Sequence, residues 1–176
     1  MEIYNEQIKK RIMFNKDSDY YFIAYNSLLI LDYLNCYEGK SNFCDYRKLI
    51  YILPFIAEDT LLKIVTKEAS LKEEEIKILE DIYIKARLRE PILKSIFFTL
   101  EKKGYIKMEK NKTRKSIDVQ LVPNSISSDF LNSEIFTIES KNIALFKSYY
   151  QRLTIISLES LIGKLFKERG VIIWDI

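Results

Sequence analysis

Four groups of residues in this sequence have types and spacing that could do chemistry. Cys36 and Cys44 could pair in an oxidising compartment, and Glu73-Glu74-Glu75 could gather a cation. Gly163-Lys164 has the ending of a phosphate-binding loop, and seven Lys and Arg between positions 102 and 115 could meet phosphates. The first three fail on local grounds. Leu158 stands where the first glycine of the loop belongs, and Gly39, Gly104, Gly163 and Gly170 are each isolated, so no phosphate loop or dinucleotide fingerprint can be built. Consecutive glutamates point in different directions around a helix, which makes that run a solvated helix start. Met1 to Lys10 is charged and lacks the apolar core of a signal peptide, which predicts a cytoplasmic protein with reduced thiols.

Absences narrow the chemistry further. The chain has no His, which removes the commonest general base and transition-metal ligand. The acids and lysines that might make a nuclease centre, such as Asp32 with Glu38-Gly39-Lys40, are scattered. The expectation is a protein that is not an enzyme, with no catalytic residue, no cofactor and no metal.

The elements that must position the basic run come next. At 176 residues, 48% hydrophobic and 30% charged, the chain fits one soluble domain. No stretch reaches the roughly 18 apolar residues of a membrane helix, so no membrane partner is expected. Three parts are expected, 1–66, 71–123 and 124–176. Glu2–Met13 can form a short amphipathic helix. A second helix is expected over Asn26–Tyr37 with Asn26 as its N-cap, closed by Glu38-Gly39-Lys40-Ser41. Leu49–Ala57 is apolar nearly all round and predicts a central buried helix that Pro54 kinks or ends. A shorter helix follows from Glu58 to Val65. Leu71–Arg87 predicts a polar helix with acids early and bases late, in the order the helix dipole favours.

Pro91 suits the first turn of a new helix, and Ile92, Leu93, Ile96, Phe97 and Leu100 give it one apolar stripe. Gly104 closes it. Tyr105–Met108 can then pair with Ser116–Val122, where Ile117, Val119 and Leu121 alternate with Asp118 and Gln120. Pro123 stops the second strand. Helix, helix, Gly-aromatic-Ile, strand, basic tip, strand is the order of a winged helix-turn-helix. The expected fold is therefore mainly α with a small β-hairpin, a winged-helix core carrying extra N- and C-terminal helices.

The net charge of +3 implies no nucleic-acid partner by itself. Residues 101–115, however, set Lys102, Lys103, Lys107, Lys110, Lys112, Arg114 and Lys115 against Glu101 and Glu109. Lys110, Lys112, Arg114 and Lys115, at the wing, are candidate phosphate contacts; polar, lysine-rich hairpin tips are also ordinary. Lys94, Ser95, Phe98, Glu101 and Lys102 share the outer face of the second helix. None is an Arg, Asn or Gln that reads base edges. Phe98 at the centre of that face suits a protein partner, unless preceding chain packs over it.

In the last third, Asn124–Asn132 reads as polar loop or short helix, and Phe136-Thr137-Ile138 as strand or extended connection. Lys141–Arg152 predicts a helix, and Ser157 begins another that Gly170 ends. The closing Val171–Trp174 either adds a buried strand or docks on a partner, making Trp174 a second candidate partner contact.

Taken as a layout, Asn26-Ser27-Leu28-Leu29, then Leu53-Pro54-Phe55, the passage from Arg87 through Lys103-Gly104-Tyr105-Ile106, and Ser160–Phe166 resemble the middle component of bacterial ABC-three-component systems, the group that includes Lamassu-type anti-phage defence. The resemblance covers about residues 20–176. It implies a scaffold or adaptor subunit between an SMC-like ABC ATPase and an effector, often a nuclease, with ATP hydrolysis and DNA cleavage left to those partners. Non-specific DNA contact through the complex is compatible with it. The alternative is an autonomous winged-helix transcriptional regulator.

Overall fold

The computed structural model describes residues 20–174; the helix expected over Glu2–Met13 lies outside them. Among the described residues the chain is mainly helical with one two-stranded antiparallel sheet, and no helix is long and apolar enough to cross a membrane.

Helix α1 runs over Tyr20–Tyr33. Asn26 is not its N-cap: it is buried two turns inside, and its side-chain amide donates to the Phe22 carbonyl at 2.9 Å. The helix also ends before Gly39. Asn35 takes φ 56°, Cys36 N–H reaches back to Leu31 and Asn35 N–H to Asp32, a left-handed C-terminal cap that asparagine tolerates better than most residues.

Helix α2, Lys48–Ala57, is the centre of the molecule. Eight of its ten residues are buried, and α1, α3 (Asp59–Thr66), α4 (Glu73–Lys102), α6 (Thr137–Tyr149) and α7 (Leu158–Leu165) all pack on it. Pro54 does not end it; the helix runs on to Ala57. Its last turn is closed from outside by Asn142, whose amide donates to the Ile56 carbonyl at 2.9 Å and to Asp59 at 2.8 Å.

The expected break between two helices near Arg89 is absent. Residues Glu73–Lys102 form one 30-residue helix with Pro91 inside it, about 45 Å long. Its buried residues explain why. Leu79, Tyr83, Ala86, Leu93, Phe97 and Leu100 are all buried and keep one phase across the proline. Packing holds both halves on the same core, and that outweighs the hydrogen bond proline cannot donate. Glu90 falls in the same phase and accepts from Tyr51 Oη at 2.6 Å. Gly104, with φ +78°, closes the helix as its sequence predicts.

Strands β1 (Ile106–Asn111) and β2 (Ser116–Leu121) pair from Ile106 opposite Leu121 to Asn111 opposite Ser116. The expected alternation of buried and solvated residues on β2 is not observed, since Asp118 and Gln120 are buried as well. The cause is a second partner. The Cys36–Tyr46 segment lies along the other edge of β2: Phe43 and Val119 exchange both backbone hydrogen bonds at 3.0 Å, and Leu121 N–H donates to Cys36. Buried Asp118 accepts from the Asp45 N–H, Ser116 Oγ and Asn111 Nδ2, while Gln120 donates to the Tyr37 and Ser41 carbonyls.

A short α5 (Ser128–Leu131) leads to a 3-10 turn at Glu134–Phe136 and then α6. Phe136-Thr137-Ile138 is thus a turn running into helix, not a strand. Ser157 caps α7 through a 3.1 Å bond from Ser160 N–H. The terminal Val171–Trp174 has no regular secondary structure and pairs with no strand among the described residues.

Candidate interaction surface

The hairpin sets the basic residues in place. Asn111 Oδ1 accepts from Arg114 N–H at 3.0 Å, and Lys115 takes φ 52°, so residues 112–115 turn tightly. Lys110, Lys112 and Lys115 project from it exposed, with no ion pair among the described residues. Arg114 differs. It is exposed, but its guanidinium donates to the Ile155 carbonyl and ties the hairpin tip to the loop before α7. Lys107 is bridged by Glu38 at 2.9 Å and Glu109 at 2.8 Å, and these carboxylates push its ammonium well above the usual lysine range. The positive field of the hairpin is therefore that of the three lysines at its tip with Lys102 and Lys103 behind them.

The C-terminal half of α4 presents the second feature. With its buried stripe fixed by α2, the opposite face points outward. Leu88 is 73% exposed, Ile92 39% and Phe98 48%. Ile92, expected in the buried stripe, is on this outer face instead, because the α4 phase set by Leu93, Phe97 and Leu100 turns it away from the core. Leu88, Ile92, Ser95, Phe98 and Lys102 follow one another at helical spacing. Lys94 Nζ sits 5.8 Å from the Phe98 ring centre, and Pro91, Lys94, Ser95, Phe98, Thr99 and Lys102 line a shallow groove of about 420 Å³. Nearby acids face elsewhere: Glu90 is held by Tyr51, and Glu101 accepts from the Met108 N–H at 2.8 Å.

Trp174 lies apart from this face. Its ring stands 6.4 Å from that of buried Tyr83, and its carbonyl accepts from Tyr83 Oη at 3.2 Å. Tyr83 precedes Phe98 by four turns of α4, about 22 Å. Val171 is buried, whereas Ile172 is 73% and Trp174 55% exposed, so the chain end is half anchored and half presented.

No family model, curated protein or solved structure matches this chain.

Inside the fold, titratable groups serve architecture. Lys48 is fully buried and donates to the carbonyls of Leu153, Thr154 and Ile156 at 2.6, 3.4 and 2.9 Å, with its ammonium 4.3 Å from the Phe43 ring centre. Burial pushes its amine down to about 8. Burial likewise pushes the Cys36 thiol up to about 11 and raises that of Cys44, which Asp118 raises further. Both are thiols at neutral pH, the inert form of cysteine. No group of three or more Cys, Asp or Glu placed to hold a metal ion occurs among the described residues. Sequence reading missed Lys48 because a lysine next to Arg47, just ahead of the apolar run, looks like a surface residue; only the long-range carbonyls explain it. Leu88 was missed because it lies beyond the expected end of a helix that in fact continues.

Proposed function

We propose that this chain is a non-catalytic adaptor subunit with a winged-helix core, working in a three-component anti-phage complex between an SMC-like ABC ATPase and a nuclease-type effector. The observation that carries the reading is the outer face of α4, where exposed Leu88, Ile92 and Phe98 occupy the position a DNA-reading helix gives to Arg, Asn or Gln. The order α1, a strand-like rung at Phe43, α2, α3, α4, β1, wing, β2 supports a winged helix, with α2 and the short α3 rather than residues 71–87 preceding the outward-facing helix. The resemblance in layout described above supplies the partners. Lys110, Lys112 and Lys115 would add non-specific phosphate contact once the complex sits on DNA.

The test is co-expression with the products of neighbouring genes. A large coiled-coil ATPase should co-purify, and replacing Phe98 or Trp174 should release it. A chain that stays alone beside such neighbours overturns the reading.

The exposed wing lysines favour a second reading, an autonomous winged-helix regulator. It requires sequence-selective DNA binding by the isolated chain, with a salt slope that flattens when Lys112 and Lys115 are neutralised.

A further inference from the structure

The outer face of α4 has a chemistry that defines what it can hold. Its apolar side chains, Leu88, Ile92 and Phe98, form a ridge three turns long. Lys94 and Lys102 stand beside Phe98 around one groove, with Lys103 next in the chain; all three are exposed and without an ion pair among the described residues. The two carboxylates of this stretch are engaged with Tyr51 and the β1 backbone. An apolar ridge with cations on its flank and its acids turned away is complementary to one kind of surface. That surface is a helix with an apolar stripe bordered by Asp or Glu.

We infer that Leu88–Lys102 of α4 is a docking ridge for an acidic amphipathic helix of a partner protein. The inference rests on the adaptor reading and deepens it by naming the chemistry of the partner. A duplex fits poorly, since an exposed Phe and two aliphatic side chains would face phosphates and polar base edges. The Lys94 ammonium lies 5.8 Å from the Phe98 ring centre, which sets a cation directly beside the apolar ridge. Partner leucines would cover Ile92 and Phe98, and partner carboxylates would reach Lys94 and Lys102.

The test uses the full chain and a fluorescent peptide of about 18 residues, long enough to be helical, with leucines at helical spacing and glutamates elsewhere. Its control carries lysines in place of the glutamates. The acidic peptide should bind and the basic one should not. Ile92→Gln with Phe98→Gln, and separately Lys94→Glu with Lys102→Glu, should each weaken the acidic peptide roughly tenfold or more. All four side chains are exposed, so unchanged circular dichroism and melting temperature are expected to accompany the loss. Equal affinity for both peptides, no binding of the acidic one, or binding indifferent to both double variants overturns the inference. Duplex DNA whose binding depends on Ile92 and Phe98 overturns it too, in favour of a nucleic-acid face. The two readings fail separately. Peptide binding without co-purification of a neighbour sinks the adaptor role alone, and a complex that survives both double variants sinks the ridge alone.

Discussion

Lys48 shows how one side chain can join distant parts of the chain. Its three N–H groups meet three carbonyls between residues 153 and 156, so each donor of the ammonium is used. Lys48→Met keeps the apolar stem but orphans those carbonyls, and should cost about 2–4 kcal/mol in urea unfolding. Its pH dependence has a definite sign. The folded amine sits near 8 and the unfolded one near 10.5, so between these values the unfolded chain holds more protons. Stability contributed by this group therefore rises with pH through that window, by at most about 1.4 kcal/mol per pH unit. The stability difference between wild type and Lys48→Met should widen from pH 8 to 10; a constant or narrowing difference would remove this account. Cys36 and Cys44 titrate in both proteins, and the Lys48 charge lowers both thiols, so its loss shifts them in the direction that widens the difference further.

At the scale of elements, α4 carries the main lesson. Proline and its neighbours argue for two helices, and local rules made that the expected reading. Yet positions 79, 83, 86, 90, 93, 97 and 100 alternate steps of four and three without a slip, a pattern visible in the sequence across Pro91. Periodicity won because α2 and its neighbours bury both halves of that stripe. The hairpin and its glycine cap were legible for the same kind of reason, being local. The burial of Asp118 and Gln120 was not, since it depends on the Cys36–Tyr46 segment arriving from about seventy residues earlier. Continuity of α4 predicts the effect of Pro91→Ala. The alanine restores a donor for the Arg87 carbonyl, and the variant should be more stable by roughly 1–3 kcal/mol in urea unfolding. Two separate helices meeting at Pro91 would show no gain.

For the whole molecule, the C-terminal third is woven into the rest. Arg169 donates to the Val65 and Lys67 carbonyls and Tyr150 Oη to Val65 at 2.7 Å, closing the end of α3. Asn142 closes α2, Lys48 grips the loop after α6, and Tyr83 holds Trp174. The three parts expected from the sequence share one cluster of buried apolar residues. The full chain should thus unfold in a single transition, with far-UV ellipticity and the fluorescence of Trp174, the sole tryptophan, changing together. A chain ended after Val122 should show no cooperative melt; an independent sigmoidal transition in that fragment would mean the C-terminal third is an appendage. The exposed apolar surfaces were legible only in part. Phe98 stood out as an aromatic on a polar face, whereas Trp174 needed the Tyr83 contact to be seen as half anchored.

The sheet itself has a consequence for solubility. β2 is occupied on both edges, which leaves the outer edge of β1 as the place where a stray strand could add. That edge is guarded. The Glu101 carboxylate holds the Met108 N–H that an incoming strand would need, and Lys107, Glu109 and Lys110 crowd the same strand with charge. The lysines at the hairpin that invite thoughts of DNA also keep one copy of the chain from sticking to the next.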